Sequence, residues 1–318
     1  MSIHDIITSR GLKTSSAKCY IQRLTKLEKD YGMPLLQALA EDSELTTFNK
    51  IFEGKSVHTK KTYLTAIHSL VCGIRHGNGN IDDCHPTSAP FHREMNKIND
   101  GIIEWDKHQS KTKKQEENWC TLDELKGLMT KYHTDCAGYI KDDNLTMKHL
   151  IEIQKHLIMS LYLGDEANPP IRSEYGDMIV VFKKDKVKQD KHENYLLVNG
   201  PRSKYFILNN YKTNKTTGSL KFKVGKVLNK VLNDWLGAVG HMSGDPLLLK
   251  PTGGMLGRNG LSKMLLNITN PLGKRISVQL LRHIFISENI IMPKLEEKKA
   301  IADKMCHSTG QQEMYKKY

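Results

Sequence analysis

The feature that most constrains this chain is where its hydrophobic period changes. Four short runs rich in β-branched and aromatic residues, at 178–182, 195–198, 205–208 and 220–224, sit together in one window. On both sides of that window the apolar residues recur at helical spacing. The pattern implies an α+β fold in which a small antiparallel sheet is segregated within a mainly helical protein.

The helical stretches divide the 318 residues further. Ile21, Leu24, Leu27 and Tyr31 form one stripe, which Gly32 and Pro34 end. Tyr63, Leu64, Ile67, Leu70, Val71 and Ile74 form a second, with Lys60 and Lys61 on its opposite side and the cluster 77–80 as its stop. Met95, Ile98 and Ile102 mark a third helix. Residues 1–106 therefore read as a helical bundle with basic outer faces. Lys107, Lys111, Lys113 and Lys114 follow in a segment, 107–118, that has no aliphatic side chain and reads as an exposed basic linker. The second domain, 119–318, opens with the capping box Thr121-Leu122-Asp123-Glu124. An apolar helix at 149–163 comes next, then the strand window and helical patterns at 226–236, 260–268, 277–289 and 295–306. No internal repeat is present.

Composition narrows the partners. Lysine and arginine outnumber acidic residues 48 to 35, a formal charge of +13. A positive excess on a polar chain implies a polyanion, and nucleic acid before lipid. No apolar run approaches the roughly 20 residues that cross a bilayer, so no membrane partner is expected. The first residues, Met1-Ser2-Ile3-His4-Asp5, lack the basic and apolar regions of a secretory signal, so an intracellular, reducing location alongside DNA is expected. The six cysteines, at 19, 72, 84, 120, 136 and 306, include no CxxC pair, which argues against a disulfide framework. Cys72, His76, Cys84 and His85 could supply four zinc ligands, but their spacing fits no common module and Cys72 lies on an apolar face. A core cysteine and loop residues are the preferred reading, and no metal site is assigned.

Three separated segments carry chemistry: Pro170-Ile171-Arg172-Ser173-Glu174, Gln279-Leu280-Leu281-Arg282-His283, and Met305-Cys306-His307-Ser308 followed by Tyr315. Each is a weak signal alone. Their order, an arginine, then Leu-Arg-His, then His-Ser, then a tyrosine near the end, resembles the tyrosine recombinases, the phage-integrase-like enzymes that share a catalytic domain with type IB topoisomerases. The resemblance implies a SAM-like, core-binding helical domain that clamps DNA, followed by the catalytic domain. The wording of 111–119 and of 311–317 resembles integrases of eukaryotic DNA viruses and mobile elements.

The resemblance also implies roles. Tyr315 attacks a phosphodiester and forms a covalent 3′-phosphotyrosine, with no metal and no ATP. Arg172 and Arg282 grip the phosphate oxygens, because paired guanidinium donors suit the charge that develops there. A lysine on a β-hairpin turn protonates the departing 5′-hydroxyl. Lys212 fits that position and Lys215 is the alternative, since either could instead contact phosphate. His307 matches the histidine or tryptophan before the tyrosine. Gln279 stands where the family has histidine or lysine; it can hydrogen-bond but cannot exchange a proton. Glu174 or Asp177 is placed to orient Arg172, and His283 is a structural partner. Tyr315 and Tyr318 both follow His307 off the family's commonest spacing, and Tyr315 is preferred as nucleophile.

The expected partner is double-stranded DNA, contacted by Lys60, Lys61, Lys111, Lys113, Lys114 and Lys215, with a homotetramer on DNA and a monomer possible in solution. A recombinase or integrase is the leading reading. A type IB topoisomerase-like relaxing enzyme shares the chemistry, and a non-cleaving DNA-binding protein on the same fold is the third.

Overall fold

A computed structural model describes residues 2–75, 89–107, 110–142, 144–163, 168, 170–185, 190–289, 295–306, 308, 310–311 and 315. The chain divides into two units, Met1–His108 and Gln109–Tyr318, each with its own apolar core.

The first unit is helical: α1 (Ile3–Ser9), α2 (Thr14–Tyr31), α3 (Leu35–Glu41), α4 (Thr46–Ile51), α5 (Val57–Arg75) and α6 (Ala89–Lys107). Leu24 and Leu27 of α2, Leu64, Ile67 and Leu70 of α5, and Phe48 and Phe91 are all buried in one core. Gly32 ends α2 in the left-handed conformation, where glycine bears no Cβ penalty. Asp42 organises the next turn. Its carboxylate accepts from the Tyr31 hydroxyl at 2.8 Å and from the backbone N–H groups of Thr47 and Phe48, donors that a helix start leaves unpaired. The helix stop at 77–80, and His76, Cys84 and His85, lie outside the described residues. Cys72 is half-buried, with its sulfur 3.6 Å from His68 Nε2. Among the described residues no three His, Cys, Asp or Glu side chains form a metal-binding group.

In the second unit Lys113–Asn118 fold into a short helix, α7, where the sequence reads as linker alone. A capping box between Thr112 and Gln115 nucleates it, and no residue of it is buried. The Thr121–Glu124 capping box opens α8 (Leu122–Cys136) as expected. Next comes α9 (Met147–Leu163), buried on every side from Gln154 except at Lys155, as suits the central helix of a domain.

The sheet contains β1 (Met178–Phe182), β2 (Asn194–Val198), β3 (Lys204–Leu208) and β4 (Leu220–Lys223), in that spatial order, with the four-residue α10 (Asn214–Thr217) between β3 and β4. The remaining helices are α11 (Lys226–Val239), α12 (Gly257–Ile268), α13 (Val278–Asn289) and α14 (Leu295–Lys304). The protein is thus α+β and mainly helical. The sheet, however, is mixed. β2–β3 and β3–β4 are antiparallel, whereas β1 pairs with β2 in parallel. The expectation of a wholly antiparallel sheet fails because alternation of burial reads the same in either strand direction. After the connection 183–193 the chain re-enters the sheet level with the start of β1, Asn194 pairing with Met178. The outer edge of β1 is covered by the loop 244–247, through Gly244 N–H to Val180 O, Val180 N–H to Asp245 O and Leu247 N–H to Met178 O. That pairing removes an open strand edge.

Two close approaches set the geometry around the sheet. Gly176 lies so near α12 that a Cβ there would meet Gly257 O at 2.5 Å. This approach lets Arg258 donate from Nε to Asp177 Oδ2 at 2.6 Å. On β3 the alternation turns Lys204 inward, fully buried, where its ammonium donates to Pro201 O and to the side-chain oxygens of Asn229 and Asn233.

Candidate active site

Arg282 sits on α13 among Leu281, Ile284, Phe285 and Ile286, and none of its surface is exposed. A guanidinium this deep is tolerable only if its donors are satisfied. Nε donates to Pro170 O at 3.2 Å, Nη1 to the Tyr315 hydroxyl at 2.9 Å, and Nη2 to Met305 O at 3.0 Å. Burial pulls its pKa down; Tyr315 opposes that shift and Arg172 adds to it. An arginine starting so high stays cationic.

Arg172 leaves the helix stop after α9, where its carbonyl accepts from the Tyr162 hydroxyl at 2.8 Å. Its Nη1 donates to Cys306 O at 2.9 Å. Its Nη2 is buried and has no hydrogen-bond partner among the described residues. The two arginines therefore grip successive carbonyls, Met305 and Cys306, at the turn that ends α14. Cys306 adopts a left-handed φ of 58° to present its carbonyl, a conformation uncommon outside glycine. Nearby, Glu174 is 2% exposed and its Oε2 has no partner among the described residues. Burial raises its pKa, while Arg258, Arg172 and Arg282 pull it back.

Tyr315 is 4% exposed. Its hydroxyl accepts from Arg282 and donates to Gln279 Oε1 at 3.2 Å. Its backbone carbonyl lies 2.7 Å from His283 Nδ1, and the two rings are 4.7 Å apart. Gln279, Arg282 and His283 are spaced i, i+3 and i+4, so a single face of α13 holds this tyrosine.

The loop between β3 and β4 reaches the same turn. Asn194 Oδ1 accepts the backbone N–H groups of Asn209 and Asn210, and the Tyr211 hydroxyl donates to Gly218 O. Thr213 Oγ1 then donates to Cys306 O at 3.3 Å, the oxygen that Arg172 also holds. Lys212 and Lys215, on this loop, are both exposed. His307 and Tyr318 lie outside the described residues.

Thus Arg172, Gln279, Arg282, His283 and Tyr315, drawn from separate stretches of sequence, meet in one place. Four contributors escape the sequence pattern. Arg258 acts on Glu174 and ion-pairs with Asp177, Thr213 ties the hairpin loop, and the Met305 and Cys306 carbonyls hold both guanidiniums. The position of Thr213 beside Lys212 offers a signal for one; backbone carbonyls leave none in a sequence.

The lysines expected to meet DNA differ among themselves. Lys60 donates to Glu94 Oε1 at 2.6 Å and to Asn49 Oδ1 at 2.8 Å. Lys61 makes no such pair among the described residues. In the second unit Lys111 lies 4.5 Å from the Trp119 ring centroid, and Lys113 and Lys114 are exposed on α7.

Chemically, the site offers a phenol hydroxyl beside a buried cation and a second guanidinium with a free N–H. That combination suits a tetrahedral oxyanion placed next to a nucleophile. No protein-family model matches the sequence, and no curated protein matches it. Among solved structures the chain is similar to one described as the crystal structure of XerA recombinase, at a TM-score of 0.39 and 11% identity, over 99% of this chain and 93% of that one.

Proposed function

We propose that this chain breaks and rejoins DNA strands through a covalent phosphotyrosine on Tyr315, as a site-specific recombinase. The observation that carries this is the 2.9 Å contact between Arg282 and the Tyr315 hydroxyl, with Arg172 held on the adjoining carbonyl and one of its N–H groups free. A phenol is a weak nucleophile unless the charge on its oxygen is stabilised as it attacks. A charge-assisted donor at the oxygen supplies that.

The phenol oxygen attacks phosphorus, the P–O5′ bond breaks, and its electron pair leaves on the 5′ oxygen. Arg172 and Arg282 neutralise the charge on the non-bridging oxygens. Lys212 gives a proton to the leaving oxygen, and the phenolic proton passes to water. The covalent link retains the energy of the broken bond, so the reverse attack by a 5′-hydroxyl reseals the strand. The positive charge of +13 supports a polyanionic partner, and recombination joins two duplexes in a tetramer of the protein.

The test is incubation with a nicked duplex whose short 5′-hydroxyl fragment diffuses away after cleavage. An adduct resistant to SDS is expected from the wild type and none from Tyr315→Phe. Equal adduct from both, or none from the wild type, rejects the reading. Strand exchange between two duplex sites separates recombination from simple relaxation of supercoils.

A further inference from the structure

Lys212 and Lys215 are equally exposed, so exposure does not choose between them. The hydrogen bonds of their loop do. Cys306 O accepts from Arg172 Nη1 at 2.9 Å and from Thr213 Oγ1 at 3.3 Å. One carbonyl oxygen therefore ties the backbone next to Lys212 to the arginine whose Nη2 is free. The rest of the loop is braced from behind: Asn214 Nδ2 donates to Asn209 O at 2.8 Å, and Tyr211, 1% exposed, donates to Gly218 O. Lys215 lies two residues beyond this tether, on α10, no residue of which is buried.

We propose that Thr213 is a positioning residue, which by its bond to Cys306 O holds Lys212 as the acid that protonates the leaving 5′ oxygen. The proposal rests on the strand-cleavage reading. A threonine hydroxyl can act in this way because it commits its one proton to the shared carbonyl and fixes its own backbone. The adjacent lysine then needs only its flexible stem to reach the leaving group beside Arg172. In the step itself the Tyr315 oxygen–phosphorus bond forms and the P–O5′ bond breaks. The departing oxygen keeps the electron pair and takes a proton from Lys212 Nζ, which becomes a neutral amine.

A change of leaving atom separates this role from a merely structural one. If sulfur replaces the bridging 5′ oxygen, the departing thiolate is a weak base and needs no acid. Cleavage by Thr213→Val, Thr213→Ser, Lys212→Ala and Lys215→Ala is measured on both substrates. On the phosphodiester, Lys212→Ala is expected to lose on the order of 10²–10⁴-fold, the usual worth of a general acid. Thr213→Val is expected to lose a smaller part of the same factor. Both should return close to the wild-type rate on the sulfur substrate. Thr213→Ser, which keeps the donor, should lose less than Thr213→Val on the phosphodiester, and any loss in Lys215→Ala, a phosphate-contact position, should be the same on both substrates.

The proposal is overturned if Thr213→Val cleaves the phosphodiester normally, or is slowed equally on both substrates. It is also overturned if sulfur rescues Lys215→Ala instead of Lys212→Ala. A wild type that forms no adduct with either substrate rejects strand cleavage itself, whereas a cleaving wild type with an unaffected Thr213→Val rejects only the role of Thr213.

Discussion

Arg282 Nη1 lies 2.9 Å from the Tyr315 hydroxyl oxygen, and the same guanidinium stands 4.8 Å from the centroid of the tyrosine ring. One cation thus meets both the oxygen that must become an anion and the face of the ring that carries it. Arg282 is fully buried and Tyr315 only 4% exposed, surroundings in which a charge-assisted hydrogen bond is strong.

Arg172→Lys keeps the charge but loses the fork. An ammonium that reaches Cys306 O has no second, coplanar N–H to offer a phosphate oxygen. Cleavage is expected to fall about 10²–10³-fold, the effect of losing one preorganised donor. Single-turnover adduct formation measures the rate, and an unchanged circular dichroism spectrum would show that the fold survives. A rate near wild type would remove Arg172 from the site.

Gln279→Glu places a carboxyl group against the Tyr315 hydroxyl. At neutral pH it is ionised, with a reference pKa near 4.3. Its charge then opposes both the phenolate and the phosphate. Slower cleavage is expected at pH 7.5, with the deficit relative to wild type shrinking only as pH falls to about 4 and the carboxyl protonates. Gln279→Leu, which removes the acceptor without adding charge, should show a deficit that does not vary with pH in this way.

Lys204 gives a pH signature of the fold. Burial depresses its pKa to about 8 from 10.5. Between those values the unfolded chain binds the proton that the folded one has released. Stability is therefore expected to rise as pH increases from about 8 toward 10.5, and the cost of burying the charge is felt in full below 8. Chemical denaturation across that range should show the rise in the wild type and a flatter profile in Lys204→Met.

Lys60 and Lys61 separate contact from packing. Lys60 is committed to Glu94 and Asn49, and Lys61 is not. Lys61→Ala should weaken binding to DNA of any sequence and lower the salt slope by about one, as the loss of one phosphate contact does. Lys60→Ala should change the slope less and reduce thermal stability more. The reverse order, from fluorescence anisotropy at several salt concentrations, would show that the Glu94 pair opens on DNA.

How much of the molecule is legible in its sequence depends on where the information sits. Helices with long stripes and explicit ends, such as α2 with Gly32 and α8 with its Thr121–Glu124 box, are written in side chains. The six- and seven-residue helices α1, α3, α4 and α7 are too short for a period to declare itself. The parallel pairing of β1 with β2 is hidden because inward and outward residues alternate identically for both strand directions. At the site, the arginines, Gln279, His283 and Tyr315 are legible as types of chemistry in a given order. The grips on Met305 O, Cys306 O and Pro170 O are not, since every residue has a carbonyl. Arg258 carries no local cue, as its relation to Glu174 and Asp177 depends on how closely Gly176 approaches Gly257.

The left-handed turn at Cys306 has a consequence for how such a site can vary. Both arginines and Thr213 are held there by main-chain oxygens, so the side chains at 305 and 306 carry none of the grip. A saturation library across these two positions should tolerate many replacements at 305, within the limits of its buried volume. At 306 it should favour glycine and asparagine, which adopt this backbone most readily, and reject β-branched residues and proline. The selective pressure at that corner falls on chain geometry, and lineages could keep the same grip while sharing no letter there.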